Sequence, residues 1–304
     1  MNPNSDSVAN PNSDIKTMLL KLSKRLLIAY IILFIISQIL SSCLSFKVSQ
    51  KDIDKAFVGY NLKPVQHQIK VNGVMMNYAE IGYDTLPVAF FVHGSPGSWS
   101  GFMDFMKDTF LLKKVKMVSV DRIGFGESDF GYAEESLVRQ AEYLKPIVLK
   151  YKQMGKKIIL IGHSLGGPMI ARMAMDYPEL IDNLIIVAGS IAPDLEPNEK
   201  WFRIPMDFMP IRFLIPASFR ASNHEILYLK PELEKMLPLW KNIHQPVIVI
   251  QGGKDMFVSP KNADFAEKML VNAQRLKVVR IDTMNHFVPW SHPDLIKKAI
   301  IESL

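Results

Sequence analysis

The sequence predicts an α/β fold: a mostly parallel sheet of the eight-stranded type, flanked by helices and carrying a short helical cap. Three observations predict it. Short apolar runs alternate with helical patterns along most of the chain, which is the signature of parallel strands buried on both faces. An Asn-Gly pair sits between two alternating runs near the start, which reads as an antiparallel hairpin at one edge. One Pro-rich stretch, 192–240, contains no convincing strand and interrupts the rhythm.

Taken in order, residues 68–71 and 75–81 flank Asn72-Gly73 and form the hairpin. The apolar runs at 88–92, 117–120, 158–161, 184–187, 247–250 and 277–281 supply six further strands. Helical patterns fall at 99–110, 134–153, 166–176, 262–272 and 293–303. The interruption at 192–240 holds Trp201, Phe202, Met206, Phe208, Met209, Phe213 and Phe219 among its prolines, and reads as a helical cap inserted between two strands. The expected organisation is an extension with a signal or membrane-anchoring segment at 1–43, a tether at 44–61, a core formed by 62–191 and 241–304, and the cap at 192–240.

The N-terminal segment has the parts of an export signal. Residues 26–40 read LLIAYIILFIISQIL, preceded by Lys21, Lys24 and Arg25 and followed by Ser41, Ser42 and Cys43. The run Leu40-Ser41-Ser42-Cys43 resembles the lipobox of bacterial lipoproteins, and this resemblance implies that Cys43 carries a lipid and becomes the first residue of the mature chain. The alternative is an uncleaved transmembrane anchor over 26–46, long enough to span a bilayer. Both readings keep the basic residues on the cytoplasmic side and place the rest of the chain outside it, associated with the membrane of a cell envelope. The polar stretch ahead of Lys21 is unlike a signal's basic start, whereas a start at Met18 gives MLLKLSKR, so translation is expected to begin there.

With 304 residues, 48% hydrophobic and 22% charged, the chain can bury a large core. A net charge of +6 without a dense basic run or nucleic-acid motif gives weak attraction to anionic surfaces and no nucleic-acid partner. Cys43, the only cysteine, excludes an internal disulfide and a Cys-rich metal site.

The central chemical signal is Gly162-His163-Ser164-Leu165-Gly166, between a predicted strand and a predicted helix. In that context G-x-S-x-G is a nucleophile elbow: a sharp turn exposes the Ser164 hydroxyl above the sheet. A serine hydroxyl needs a base, and the base needs an orienting group. His286, past the strand at 277–281, is the expected base; Asp255, past the strand at 247–250, is the expected acid. Both follow strand C-terminal ends, where open α/β sheets build their sites. His292 and Asp194 are the alternatives. The backbone N–H groups of Leu165 and of Ser95, in the loop His93-Gly94-Ser95-Pro96-Gly97-Ser98, are expected to form an oxyanion hole. Trp99, Met103, Phe208 and Phe213 are expected to line an apolar substrate pocket.

Residues 70–304 resemble the α/β-hydrolase superfamily, in its esterase and epoxide-hydrolase-like branch. His93-Gly-Ser-Pro resembles its oxyanion loop, Asp121-Arg-Ile-Gly-Phe-Gly-Glu-Ser its D-x-x-G-x-G-x-S segment, and Gly162-His-Ser-Leu-Gly-Gly its elbow. Gly253-Lys-Asp and Asn285-His286 fall at its acid and base positions. The resemblance implies that Asp121 and Arg122 brace the structure. Epoxide hydrolases and haloalkane dehalogenases of this branch carry Asp at the elbow; Ser164 points instead to an acyl-enzyme from a carbonyl substrate. The expected activity is hydrolysis of a carboxylic ester, thioester or amide in a small-molecule substrate, with no metal and no organic cofactor. A C–C bond hydrolase using the same triad is the alternative, and Arg203, Arg212 and Arg220 could supply its carboxylate pocket. A non-catalytic envelope scaffold is the alternative of a different class.

Overall fold

The computed structural model describes residues 11–304. The polar start of the chain, residues 1–10, on which the expected start at Met18 partly rests, lies outside the described residues. Helix α1 (Pro11–Cys43) comes first, then α2 (Gln50–Ala56). Next come β1 (Val65–Val71), β2 (Val74–Ile81), β3 (Val88–Val92), the short helix α3 (Met103–Met106), β4 (Lys116–Val120) and α4 (Leu137–Gln153). The elements β5 (Ile158–His163), α5 (Gly166–Asp176) and β6 (Asn183–Val187) complete the first half of the core. Between β6 and β7 (Val247–Gly252) lie α6 (Lys200–Asp207) and α7 (Ala217–Met236), the cap. The chain closes with α8 (Asn262–Met269), β8 (Leu276–Ile281), α9 (Val288–Ser291) and α10 (Pro293–Glu302).

The eight strands form one sheet in the order β1-β2-β4-β3-β5-β6-β7-β8. Strand β2 is antiparallel to both neighbours, and every other pairing is parallel. Asn72 and Gly73 both take positive φ, 49° and 92°, the backbone a two-residue I′ turn requires. Strand β3 shows why the central runs are apolar throughout: Phe90 packs into the layer of α4, α5 and α8, and Phe91 into the opposite layer with α2, α3 and α10. Lys277 and Arg280 on the edge strand β8 pair with Glu302 and with Asp264 and Glu267, a charged guard against edge-to-edge association.

Two expectations change. The helix expected over 99–110 is instead a series of short turns, and two carboxylates take amides within the segment. Asp121 Oδ1 accepts from the Trp99 amide at 2.8 Å, and Asp108 Oδ1 accepts from Phe110 and Leu111 at 2.9 and 3.0 Å. The tether expected at 44–61 is docked rather than free. Ser49 caps α2 in a reciprocal box with Asp52, and Ile53 and Phe57 are buried in the core on the α10 side.

Helix α1 is long and apolar enough to cross a membrane, and little of it is buried against the rest of the chain. Cys43, its last residue, is exposed.

If α2 is a structural part of the core, Ile53→Ala will cost about 2–5 kcal/mol, the usual range for emptying a buried aliphatic site. Denaturant unfolding checks this; a change below about 0.5 kcal/mol, typical of surface positions, would mean that α2 does not dock.

Candidate active site

Strand β5 and helix α5 meet in a turn with no space for side chains. A Cβ at Gly162 would lie 2.3 Å from the Gly166 carbonyl oxygen, and one at Gly166 would lie 2.3 Å from that of Val92. Only glycine fits at either place, which is the physical content of the G-x-S-x-G spacing. Between them Ser164 is held at φ 54°, in the left-handed region. Its N–H donates to Val187 and its carbonyl accepts from Gly167, both at 2.9 Å, so backbone bonds on both sides hold the strained residue in place.

Asp255 lies just past β7 and His286 just past β8, and the two loops are laced together. Gly253 donates to the Ile281 carbonyl at 3.0 Å and Lys254 to that of Met284 at 2.9 Å. A Cβ at Gly252 would sit 2.4 Å from the Met284 oxygen, so this glycine permits the approach. His286 Nδ1 meets Asp255 Oδ2 at 2.8 Å. Asp255 Oδ1 accepts from the amides of Phe257 and Val258 at 2.9 and 2.8 Å. Burial pushes the Asp255 carboxyl upward, but the His286 bond and these amides outweigh it and hold it below the ordinary carboxylate range. An ionised Asp255 makes Nδ1 of His286 the protonated nitrogen and leaves Nε2 without a hydrogen-bond partner among the described residues.

Ser164, Asp255 and His286 line one cavity of about 830 Å³, with Gly94, Ser95 and Leu165 on the same wall. The Ser164 hydroxyl makes no hydrogen bond to His286 in this state, an arrangement common in unliganded sites. A Cβ at Gly94 would lie 2.8 Å from that of Ser164, so the loop after β3 passes directly over the elbow. Among the described residues, no protein acceptor takes the N–H of Ser95 or of Leu165, the latter at the N-terminal end of α5. Of the alternatives, His292 and Asp194 are outside the cavity wall.

Buried groups behind the wall hold it in shape. His93 Nε2 accepts from the Arg122 amide at 2.9 Å, and its Nδ1 faces the Gly94 carbonyl at 2.6 Å. Burial and the Arg122 charge keep its imidazole neutral. Asp121 accepts from the Trp99 and Glu127 amides and the Asn77 side chain. His163, the second residue of the elbow motif, bonds the His286 carbonyl at 3.0 Å. Burial, with the neighbouring His286, brings its pKa down to about 4, so it too is neutral.

Sequence reasoning missed the link between the cap and the loop after β3. Arg122, fully buried, donates to the Gly94 carbonyl at 3.0 Å and to Gln140 Oε1, and pairs with Glu225 Oε2 from α7. Glu225 Oε1 accepts from the Ser95 hydroxyl. Ala221, Glu225 and Leu229 share one helical face and are buried, together with Ser218, Ser222 and Glu232, so the sequence alone did not set Glu225 apart.

None of the four expected pocket residues lines the cavity. Trp99 is buried, with its indole N–H on Gln66, and Met103 packs into the core below the sheet. Phe208 and Phe213 are exposed on the cap, outside the cavity. The apolar wall comes instead from Phe46, Phe102, Leu195, Leu229, Phe257 and Trp290. The prediction rested on sequence proximity to the oxyanion loop and on cap hydrophobicity, and neither reports which way a side chain turns. Among the described residues, no cluster of His, Cys, Asp or Glu is arranged to hold a metal ion.

Comparisons with known proteins agree with this architecture. A family model described as "alpha/beta hydrolase fold" matches residues 87–210. A 2-hydroxy-6-oxononadienedioate/2-hydroxy-6-oxononatrienedioate hydrolase of Pseudomonas sp is 32% identical over 275 residues, 77% of this chain and 93% of that protein. Proline iminopeptidase PfmaB of Pestalotiopsis fici is 22% identical over 284 residues, 76% of this chain and 96% of that one. Other relatives match over less: epoxide hydrolase 4 of Mus musculus is 29% identical over 33% of its length. The structure of a hydrolase from Pseudomonas aeruginosa PA01 superposes with a TM-score of 0.60 at 16% identity, covering 81% of this chain and 98% of that one.

Two stability measurements follow from this geometry. Glu225→Ala leaves the buried Arg122 charge unpaired and will cost about 3–5 kcal/mol by denaturant unfolding; a loss below about 1 kcal/mol would mean that the pair is not formed. Asp255, with its native pKa lowered, stabilises the fold fully above its unfolded value of about 3.9 and loses that contribution as pH falls through the native one. The fall in stability from pH about 7 to about 3 will therefore be smaller in Asp255→Asn than in the parent.

Proposed function

The chain belongs to the α/β-hydrolase family, and on that premise we propose that it is a serine hydrolase that cleaves carboxylic esters, thioesters or amides through an acyl-enzyme on Ser164. The observation that carries this reading is the 2.8 Å pairing of His286 Nδ1 with Asp255, on a cavity wall shared with the left-handed Ser164. In the proposed reaction Ser164 Oγ attacks the substrate carbonyl carbon while His286 Nε2 takes its proton. Asp255 holds the imidazole in the required tautomer and stabilises its cationic form. The N–H groups of Leu165 and Ser95 receive the oxyanion; losing one such donor typically costs about 2.7–4 kcal/mol of barrier. His286 then protonates the leaving group, and water, activated by the same imidazole, releases the acid and restores Ser164. No step in this sequence calls for a metal or an organic cofactor.

The basic residues ahead of the apolar run favour a site outside the cytoplasm, held at a membrane by α1 or by a lipid on Cys43.

A C–C bond hydrolase is the second reading, and the Pseudomonas relative, a 2-hydroxy-6-oxononadienedioate/2-hydroxy-6-oxononatrienedioate hydrolase at 32% identity, favours it. A diacid substrate requires cationic groups at the cavity. Arg203 reaches the wall, but its guanidinium is taken by Glu199 and Asn223. Arg212 and Arg220 stand over the Phe213 ring, outside the cavity, while Glu196 and Glu199 lie on its wall. A neutral acyl substrate fits this lining better than a dicarboxylate does.

Turnover of p-nitrophenyl butyrate by the full chain tests the reading. Ser164→Ala will lose at least about 10³-fold in kcat, and Asp255→Asn about 10⁴-fold. A fluorophosphonate probe will label the parent and not Ser164→Ala. Retained turnover in Ser164→Ala would remove the acyl-enzyme, and an unlabelled, inactive parent would return the chain to the scaffold reading.

A further inference from the structure

The cap and the cavity are both built onto the end of α1. The Tyr30 hydroxyl donates to the Pro210 carbonyl at 3.2 Å, the Ala217 amide donates to Ser41 Oγ at 2.9 Å, and Ser218 Oγ donates to the Leu44 carbonyl at 2.8 Å. From Tyr30 to Ser41 is about three helical turns, or roughly 16 Å. Over that length the cap segment 208–217, Phe-Met-Pro-Ile-Arg-Phe-Leu-Ile-Pro-Ala, runs beside a helix composed to cross a membrane. The distance is close to the depth of one leaflet of a hydrocarbon core about 30 Å thick.

Three properties of this surface suit lipid. It is apolar and uncovered: Trp201 is 80% exposed, and Phe208 and Met209 are also exposed. An apolar patch of this kind on an otherwise polar protein marks an interaction site. Its irregular backbone is partly satisfied from α1, through the Pro210 carbonyl and the Ala217 amide, as hydrocarbon demands of any non-helical segment. The cavity mouth carries exposed apolar residues of its own: Met256 is 93% exposed, and Phe257 and Phe287 are also exposed on the rim.

The chain itself ties the mouth to the membrane. Phe46, just beyond Cys43, lines the cavity. The contacts from Tyr30 and Ser41 require α1 to be retained, and a retained α1 leaves the bilayer about three residues before Phe46, roughly 10 Å along the backbone, which brings the mouth to the lipid surface.

We propose that the apolar face of the cap enters the outer leaflet beside the anchor, so that the cavity opens at the membrane surface and receives a long-chain fatty acyl ester from the bilayer. This rests on the serine-hydrolase reading for the chemistry, but the docking itself does not. The cap tip is the surface that meets lipid, and the bilayer is its partner.

The test uses the full chain reconstituted in phosphatidylcholine vesicles with bromine on the upper acyl chains. Trp99 and Trp240 are buried, so quenching reports mainly Trp201 and the half-exposed Trp290. The parent will be quenched relative to bromine-free vesicles, and Trp201→Phe will lose about half of that quenching or more, as an immersed interfacial indole requires. Equal quenching in the two proteins would overturn the docking. In the kinetic arm, the double variant Trp201→Ser/Phe208→Ser will keep p-nitrophenyl butyrate turnover within about twofold, which also shows that it folds, and will lose about tenfold or more on vesicle-borne oleoyl ester. Unchanged vesicle hydrolysis would overturn the proposal, as would an equal loss on both substrates. Vesicles of dioleoylphosphatidylcholine alone, and the same vesicles carrying monooleoylglycerol, separate a phospholipid from a neutral glyceride as the source of the acyl chain. If Ser164→Ala keeps its turnover, the chemistry falls while the quenching result still stands or falls separately.

Discussion

The site depends on how closely β5, α5 and the loop after β3 approach one another. Side chains are excluded at 162 and 166 by carbonyl oxygens 2.3 Å from where a Cβ would be, and at 94 by the Ser164 side chain. That crowding drives Ser164 into the left-handed region and sets its hydroxyl above the strand ends. The unused amides at 95 and 165 follow from the same approach, because the two loops face each other across the elbow rather than pairing with other backbone. The parallel sheet supplies the rest. β7 and β8 run in the same direction as β5, so Asp255 and His286 emerge at the same edge.

Behind this edge, the imidazoles of His93 and His163 serve as neutral struts. One holds the loop after β3 to the Arg122 amide, the other holds the loop that carries His286. Burial keeps both from charging. Glu225 extends the same logic to the cap. From its buried place between Ala221 and Leu229 on α7 it meets Arg122 and Ser95 at once. A buried ion pair of this kind contributes little net stability compared with an apolar packing, yet breaking it is costly, so it defines where α7 must sit. The cap's position and the shape of the loop after β3 are thereby coupled through a single carboxylate.

The N-terminal segment changes the meaning of the cap. Taken alone, Phe208 and Phe213 look like pocket lining, because large apolar side chains in an insertion over a site usually are. They face outward, beside an apolar helix, and the cavity is lined from elsewhere. A segment read as a tether proves to dock through Ile53 and Phe57, and its first turn contributes Phe46 to the cavity. Helix α1, the cap and the cavity are thus joined by direct contacts and by Phe46.

The sequence by itself determined the sheet and the glycine turn at 162–166, and it singled out Ser164, Asp255 and His286, which the fold brings to one cavity wall. Local patterns report these: period and apolarity define buried strands, and glycines at fixed offsets define a turn that has few ways to fold. The direction in which Phe208 and Phe213 point, the capture of Trp99 by Asp121, and the meeting of Glu225 with Arg122 were decided only by the tertiary structure. Each joins residues far apart in the chain, and the energy that selects it comes from burial and pairing across that separation, which no local window contains.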